Sequence, residues 1–224
     1  MALLHRSQCF KNQNNFSEAY NTLKRVQHIR MSDTLDQRIR HEKALCAYLS
    51  SQYEDAEYEL QQMDFFDRDT LLTAKSLFLK VLVLNELEKW DSTKRELKRY
   101  FAYKKIDPDT LNVDALIPPQ GLRKPRTALL LSLFLPGSGQ VYAGKPGRAL
   151  ASIALQGAAL TFGIISIMHG YYFEGAFTGV SLFLRFYSGG ARHAAYLVEK
   201  RNEKRNDAVK EKIKNIILHC EGLS

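Results

Sequence analysis

The first half of this 224-residue chain repeats itself at an interval of 37 residues, and no other feature limits its fold as strongly. Three segments occupy the same place in successive units: Phe16-Ser-Glu-Ala19, Tyr53-Glu-Asp-Ala56 and Trp90-Asp-Ser-Thr93. In each unit an aromatic residue, a small residue three positions later and a leucine lie at the spacing of one helix face. The repeat predicts helix pairs whose second helix begins at the aromatic residue. The predicted repeat core is Phe16, Ala19, Leu23, Tyr53, Ala56, Leu60, Trp90 and Leu97.

These units resemble the tetratricopeptide repeat, over roughly residues 2–104. The usual period of that family is about 34 residues, so the longer interval here indicates first helices extended by about one turn. Ser7, Ala44 and Val81 stand where the family's first helix has glycine, and the family's terminal proline is absent. The resemblance implies a solenoid of about three helix pairs at residues 1–105, with a concave surface that binds a protein or peptide partner.

That concave surface is expected on polar residues of the first helices. The alternative is that these residues are ordinary solvated side chains. The candidate partner-binding residues are His5, Arg6, Asn12, Arg38, Glu42, Lys75 and Lys80.

Charge separates the two halves of the chain. Residues 1–122 carry 18 Lys and Arg against 18 Asp and Glu, whereas residues 123–224 carry 14 against 6, which accounts for the whole net charge of +8. The second half also contains 25 residues without a charged side chain, from Ala149 to Phe173. About 20 apolar residues span a bilayer as a helix. Positive charge beside apolar segments favours anionic lipid headgroups as partners and argues against nucleic acid.

The predicted fold is therefore all-α: a helical-repeat solenoid followed by a C-terminal transmembrane helical hairpin. Residues 106–126 contain four of the six prolines and are predicted to be a linker. Residues 127–196 form the membrane module of two or three apolar helices, and residues 197–224 a basic C-terminal helix or tail. The second apolar run, Phe173–Tyr187, is broken by Glu174 and Arg185. The C-terminal helix has two interpretations, a membrane-surface helix or a helix packed on the repeats.

A glycine-rich segment precedes the longest apolar run. Its Gly139-x-x-x-x-Gly144-Lys145 differs from a nucleotide-binding P-loop because Pro146 replaces the magnesium-binding Ser or Thr. The whole segment instead resembles the membrane module related to TM2 domains, over about residues 125–203. That resemblance implies little about activity. The residues assigned to this membrane motif are Pro136, Gly137, Gly139, Gln140, Tyr142, Gly144, Lys145, Pro146, Arg148 and Arg185.

Physical chemistry predicts individual roles within this motif. The three glycines allow sharp turns or close backbone approach, Tyr142 suits the edge of a bilayer, and Lys145 with Arg148 suits lipid phosphate. Arg185 lies inside an apolar segment, where insertion costs about 2.5 to 3.5 kcal/mol. It should therefore face Gln156, a backbone carbonyl of the glycine-rich turn, or a phosphate. Gly175 and Gly179 form a GxxxG pair that is typical of close helix packing.

The sequence contains no pattern that indicates catalysis. Cys9, Cys46 and Cys220 are odd in number and widely spaced, and the six histidines are scattered, so no metal site, cofactor or enzymatic activity is expected.

The leading hypothesis is a membrane-anchored adaptor at a bacterial inner membrane. The alternative is a small membrane protein that handles a lipid or solute in its hairpin through Arg185 and the glycine-rich loop. Either protein could form a homo-oligomer through its small residues. Lys and Arg flank the hairpin but not its turn, which places both hairpin ends in the cytoplasm. The side of the repeats stays open, because the uncharged 18 residues Thr127–Gly144 either dip into the membrane or cross it.

Overall fold

The structure, a computed structural model, describes residues 2–26, 33–63, 70–106, 113 and 121–222. Every regular element within these ranges is helical, which confirms the all-α class for this part of the chain. The elements are α1 (Ala2–Asn12), α2 (Phe16–Lys24), α3 (Asp33–Leu49), α4 (Tyr53–Met63), α5 (Thr70–Glu86), α6 (Trp90–Lys104), α7 (Pro125–Phe134), α8 (Ser138–Tyr142), α9 (Pro146–Met168), α10 (Tyr172–Glu174), a π-helical turn (Gly175–Gly179) and α11 (Val180–Cys220).

The chain divides into two compact units. The first contains residues 1–118 together with 209–224, and the second contains residues 119–208. Most of the predicted linker, residues 107–112 and 114–120, lies outside the described residues, including three of its prolines. Pro125 is the first residue of α7. The predicted tail does not begin a new element at residue 197, because α11 continues through that position to Cys220.

The helix pairs of the first unit repeat in their turn geometry as well as in their sequence. Asn14, Ser51 and Glu88 have φ values of 56°, 61° and 56°, the left-handed conformation that ends many helices. The residue after each donates its N–H to a carbonyl five residues earlier, with N···O distances of 2.9, 2.8 and 3.1 Å. The next helix of each pair begins at Phe16, Tyr53 or Trp90, as predicted.

The core of the repeats is largely the predicted one. Ala19, Leu23, Ala56, Leu60 and Leu97 are at most 1% exposed. Consecutive helices from α1 to α6 pack on one another where the structure describes them, and α3 also contacts α5. The small side chains at the helix contacts allow this close packing.

The aromatic residues that mark the repeat differ from the prediction, because Phe16, Tyr53 and Trp90 are only half-buried. Each is the first residue of its helix, beside the turn, and so lies at the end of a helix pair rather than in its middle. The Tyr53 ring packs against Tyr48 with centroids 5.7 Å apart. The rings that the structure buries fully are Tyr20, Tyr100 and Phe101.

The end of α11 belongs to the core of the first unit. Ile213 and Ile217 are fully buried in a cluster that includes Tyr100 and Phe101. The Tyr100 hydroxyl donates to a Glu221 carboxylate oxygen at 2.6 Å. We call residues 209–222 the C-terminal segment. Its burial supports the interpretation of a helix packed on the repeats rather than one lying on a membrane surface.

One helix of the described residues, Pro146–Met168, is long and apolar enough to cross a membrane by length and composition. The second arm of the predicted hairpin does not meet that standard. Glu174 and Arg185 interrupt its apolar run, and the π-helical turn Gly175–Gly179 precedes the main part of α11. The structure thus provides a single candidate span where the sequence predicted a hairpin of two.

Three glycines bring the π-helical turn against α9. A methyl group at Gly179 would lie 2.6 Å from Gly163 Cα, and one at Gly175 would lie 2.8 Å from Gly163 O. Any larger residue at these two positions would overlap the neighbouring backbone. The GxxxG pair is therefore covered within the chain, so a homo-oligomer would have to use other small residues.

Candidate functional site

A groove of about 470 Å³ runs along the first helices of the three repeats. Its apolar lining comes from leucine and isoleucine side chains, and its polar lining includes both signs of charge. We call it the repeat groove. Its lining residues are Leu4, Ser7, Gln8, Leu35, Arg38, Ile39, His41, Glu42, Leu72 and Lys75.

The repeat groove unites three of the seven predicted binding residues, Arg38, Glu42 and Lys75. Four others lie elsewhere. His5, Arg6 and Asn12 are exposed outside it, and Lys80 is 8% exposed with its Nζ 3.6 Å from Glu96 Oε1. Sequence spacing places residues on helices but does not show which helix faces converge.

Among the described residues, the charged side chains of the repeat groove that have no ion-pair partner are positive. Glu42 is already paired with Lys11, whereas Arg38 and Lys75 are exposed and have no ion-pair partner within the described ranges. Both cations can therefore interact with a ligand without first breaking an internal contact.

His41 contributes a neutral surface to the groove and was missed by sequence reasoning, because nothing distinguishes it from the other scattered histidines. It is 9% exposed. Burial lowers its pKa, Glu42 opposes that effect, and the positive charge of Lys75 lowers the pKa further. The imidazole is therefore uncharged at neutral pH.

In the second unit, the glycine-rich motif forms a turn, a short helix and a second turn between α7 and α9. Gly137 and Gly144 have φ values of 86° and 80°, which favour glycine. Gly139 is needed for a different reason. A methyl group there would lie 2.2 Å from the Ala128 carbonyl oxygen and from Ser132 Oγ. Helices α7 and α8 can approach this closely only at glycine.

Gln140 is the buried polar anchor of the motif. It is 1% exposed, and its Nε2 donates to the Gly190 carbonyl at 2.9 Å. Ser132 Oγ lies 3.5 Å from the Gln140 Oε1. The side chain thus joins α7, α8 and α11, and its conformation is set by partners on both sides.

Tyr142 and Asn202 hold the residues before α7. The Arg123 guanidinium lies over the Tyr142 ring, 5.2 Å from its centroid. The Arg123 carbonyl accepts a hydrogen bond from Asn202 Nδ2 at 2.8 Å, and its N–H donates to Asn202 Oδ1 at 3.2 Å. These contacts give Tyr142 a packing role alongside the predicted place at a bilayer edge, which stays a prediction.

A second cavity, of about 410 Å³, lies between α9 and α11. We call it the basic cleft. Arg148 and Arg185 both line it, together with Gln140 from the glycine-rich motif, so three predicted motif residues meet there. Its lining residues are Gln140, Arg148, Ala151, Ser152, Leu155, Arg185, Phe186, Gly189, Gly190 and His193.

No metal centre is found in the part of the chain that the structure describes. It contains no group of three or more His, Cys, Asp or Glu that could hold a metal ion. Cys46 is buried, and burial raises the pKa of its thiol to about 11. That thiol is protonated at neutral pH and unreactive.

Comparison of the chain with protein-family models, with curated proteins and with solved structures finds no significant match in any of the three. The resemblances to tetratricopeptide repeats and to the TM2-related module therefore stay predictions.

Proposed function

We propose that this protein is a membrane-anchored helical-repeat adaptor. In this proposal the first unit resembles a tetratricopeptide solenoid and binds a protein or peptide partner in the repeat groove. The second unit resembles a TM2-related module and holds the chain in a bilayer, which we propose to be a bacterial inner membrane. The observation that carries the proposal is the contrast between the surfaces of the two units.

The described residues of the first unit expose 3 large hydrophobic side chains, Leu49, Tyr58 and Tyr103, whereas those of the second unit expose 25. Soluble proteins rarely expose large contiguous apolar patches. Within α9, only 17% of the most apolar window is buried, which is too little for a core helix of a soluble domain. The exposed side chains of α9 are Leu150, Ile153, Leu155, Leu160, Phe162, Ile164, Ile165, Ile167 and Met168.

Membrane residence predicts that the full chain sediments with membranes and needs detergent for extraction. A matched control replaces residues 123–208 by a Gly/Ser linker, which keeps the C-terminal segment available to the first unit. We expect the control to remain in the soluble fraction. Full-length protein that is soluble and monodisperse without detergent would contradict the anchor.

The same preparation can establish orientation by cysteine labelling in spheroplasts, in a background without the three native cysteines. Tyr58→Cys, Tyr171→Cys and Lys212→Cys place the thiol at exposed positions. We propose that the second arm crosses the bilayer with α9, although α9 is the one candidate span among the described residues. An impermeant reagent should then label position 171 and not position 212, because positive charge flanks the hairpin and not its turn. Position 58 should give the same result as position 212, because the C-terminal segment packs into the core of the first unit together with the repeats. Labelling of 212 without 171 would contradict the orientation.

For the repeat groove we propose an acidic peptide segment with apolar side chains as the ligand. Leu4, Leu35, Ile39 and Leu72 supply an apolar lining. Arg38 and Lys75, which have no ion-pair partner among the described residues, supply the charge. Glu42, the only acidic residue among the described lining residues, is already paired with Lys11. Charge complementarity of this kind sets specificity and association rate.

A charge reversal tests this ligand chemistry. Wild-type protein should bind acidic members of a synthetic peptide panel in preference to basic ones of equal hydrophobicity. Lys75→Glu should weaken acidic-peptide binding about tenfold, which corresponds to about 1.4 kcal/mol. Arg6→Glu is the matched control, since it makes the same charge change on α1 outside the groove. Equal losses in both variants would show a general charge effect and not a site.

A second function, handling of a lipid or solute by the second unit, is favoured by the basic cleft. This function does not compete with the adaptor role, because the two cavities lie in different units.

A further inference from the structure

We propose that the basic cleft binds the phosphate of one anionic phospholipid, whose acyl chains lie along the exposed apolar side chains of α9 and α11. This inference rests on the proposed membrane residence of the second unit.

The polar groups of the basic cleft that are still available are hydrogen-bond donors. Arg148 and Arg185 line it without an ion-pair partner among the described residues, and no lining residue is acidic. Two guanidinium groups present planar forks that match phosphate oxygens. A phosphate would receive both without displacing an internal carboxylate.

Ser152 and His193 add further hydrogen-bond donors. Ser152 Oγ accepts from Gln156 Nε2 at 3.1 Å, which leaves its O–H without an acceptor in the described structure. Arg148 Nη1 lies 3.1 Å from His193 Nε2, and a guanidinium can only donate, so Nε2 is the acceptor of this contact and Nδ1 is the ring nitrogen that can donate. The side-chain groups that can still contact a ligand in the basic cleft are donors, as in an anion-binding site.

The floor of the cleft is held in place by buried polar contacts. The Gly190 carbonyl accepts from Gln140, and Gly190 has no side chain. A methyl group there would lie 3.0 Å from Ser152 Oγ. Glycine at this position keeps the Ser152 hydroxyl within reach of a ligand, because a larger residue would crowd it.

The apolar surface beside the cleft fits acyl chains and distinguishes a lipid from free phosphate. Leu155 and Phe186 belong to the lining, and Leu155 is 52% exposed. From Leu155 the exposed apolar side chains of α9 continue to Met168, which is about 20 Å of helix. One leaflet of a bilayer core is about 15 Å thick. A headgroup at the cleft therefore leaves enough apolar surface for the chains.

The test uses the full-length chain in a neutral detergent, after its extraction from membranes has been established. Native mass spectrometry measures retention of phosphatidylglycerol, phosphatidylcholine or inorganic phosphate. We expect one phosphatidylglycerol per chain, held at least about tenfold more tightly than phosphatidylcholine. Arg148→Gln and Arg185→Gln should each weaken it about tenfold or more, which is the loss of one charged hydrogen bond. Arg185→Lys should recover only part of the affinity.

Arg192→Gln is the matched control. It removes the same charge from α11 at an exposed residue that does not line the cleft, and it should leave retention unchanged. Circular dichroism verifies that every variant keeps its helix content. Equal retention of phosphatidylcholine, or equal loss in Arg192→Gln, would overturn the site. Displacement of the lipid by an equal concentration of inorganic phosphate would overturn the lipid as ligand. Failure of the extraction experiment would instead overturn the membrane proposal, so the two failures are distinguishable.

Discussion

Gly139→Ala is expected to unfold the contact between α7, α8 and α11. The added methyl group would lie 2.2 Å from both the Ala128 carbonyl oxygen and Ser132 Oγ, and 2.8 Å from Ala194 Cβ. The backbone oxygen cannot rotate away, so α7 and α8 must separate. Overpacking typically costs about 1 to 3 kcal/mol, and we expect a loss of about 3 kcal/mol for this contact.

Hydrogen exchange in detergent localises that effect. Amides of α7 and α8 should exchange about 100-fold faster, since each factor of ten corresponds to about 1.4 kcal/mol. Gly157→Ala is the matched control, because it adds the same methyl group to a helical glycine with nothing within 4 Å. That change should leave exchange unchanged or slow it, as alanine favours helix by about 1 kcal/mol. Equal effects at both glycines would show that close approach is not the reason for Gly139.

Ile213→Ala is expected to destabilise the first unit although it lies more than 100 residues after the last repeat helix. Ile213 is fully buried in the cluster with Tyr100 and Phe101. Truncating a buried isoleucine to alanine costs about 2 to 5 kcal/mol. We expect about 3 kcal/mol, measured as faster exchange of α6 amides and an earlier denaturant midpoint.

Asn215→Ala is the control for Ile213→Ala, because Asn215 is exposed on the same helix two residues away. It should change stability by less than about 0.5 kcal/mol. A chain that stops at residue 122 should behave like a severe form of Ile213→Ala, since it lacks the whole C-terminal segment. If Ile213→Ala matched Asn215→Ala, the packing of the C-terminal segment on the repeats would be wrong.

The repeat pattern was sufficient to place helix starts in the first unit, because its signal is local. An aromatic residue, a small residue and a leucine at helical spacing identify one face of one helix, and α2, α4 and α6 begin where they predict. Burial of the aromatic rings was overestimated, because depth depends on the neighbouring elements. The fully buried Tyr20 and Phe101 have no repeat signature at all.

The two candidate sites were likewise predicted only in part from the sequence. Sequence alone selected Arg38, Glu42 and Lys75 without ranking them above Arg6 or Lys80. It selected Arg148 and Arg185 separately, as residues of the membrane motif. The structure brings the first three into the repeat groove and the last two into the basic cleft. Which charges converge depends on helix faces that are set by contacts distant in the chain.

By itself, the sequence determined the helical class, the period of 37 residues and the apolar length of α9. Helix periodicity and hydropathy depend only on residues within a few helical turns of each other. Only the tertiary structure decided that the C-terminal segment completes the core of the first unit. It also decided that Gly139 and Gly179 are contact points. These outcomes depend on packing between segments far apart in sequence, where the space for one methyl group decides whether two backbones can meet.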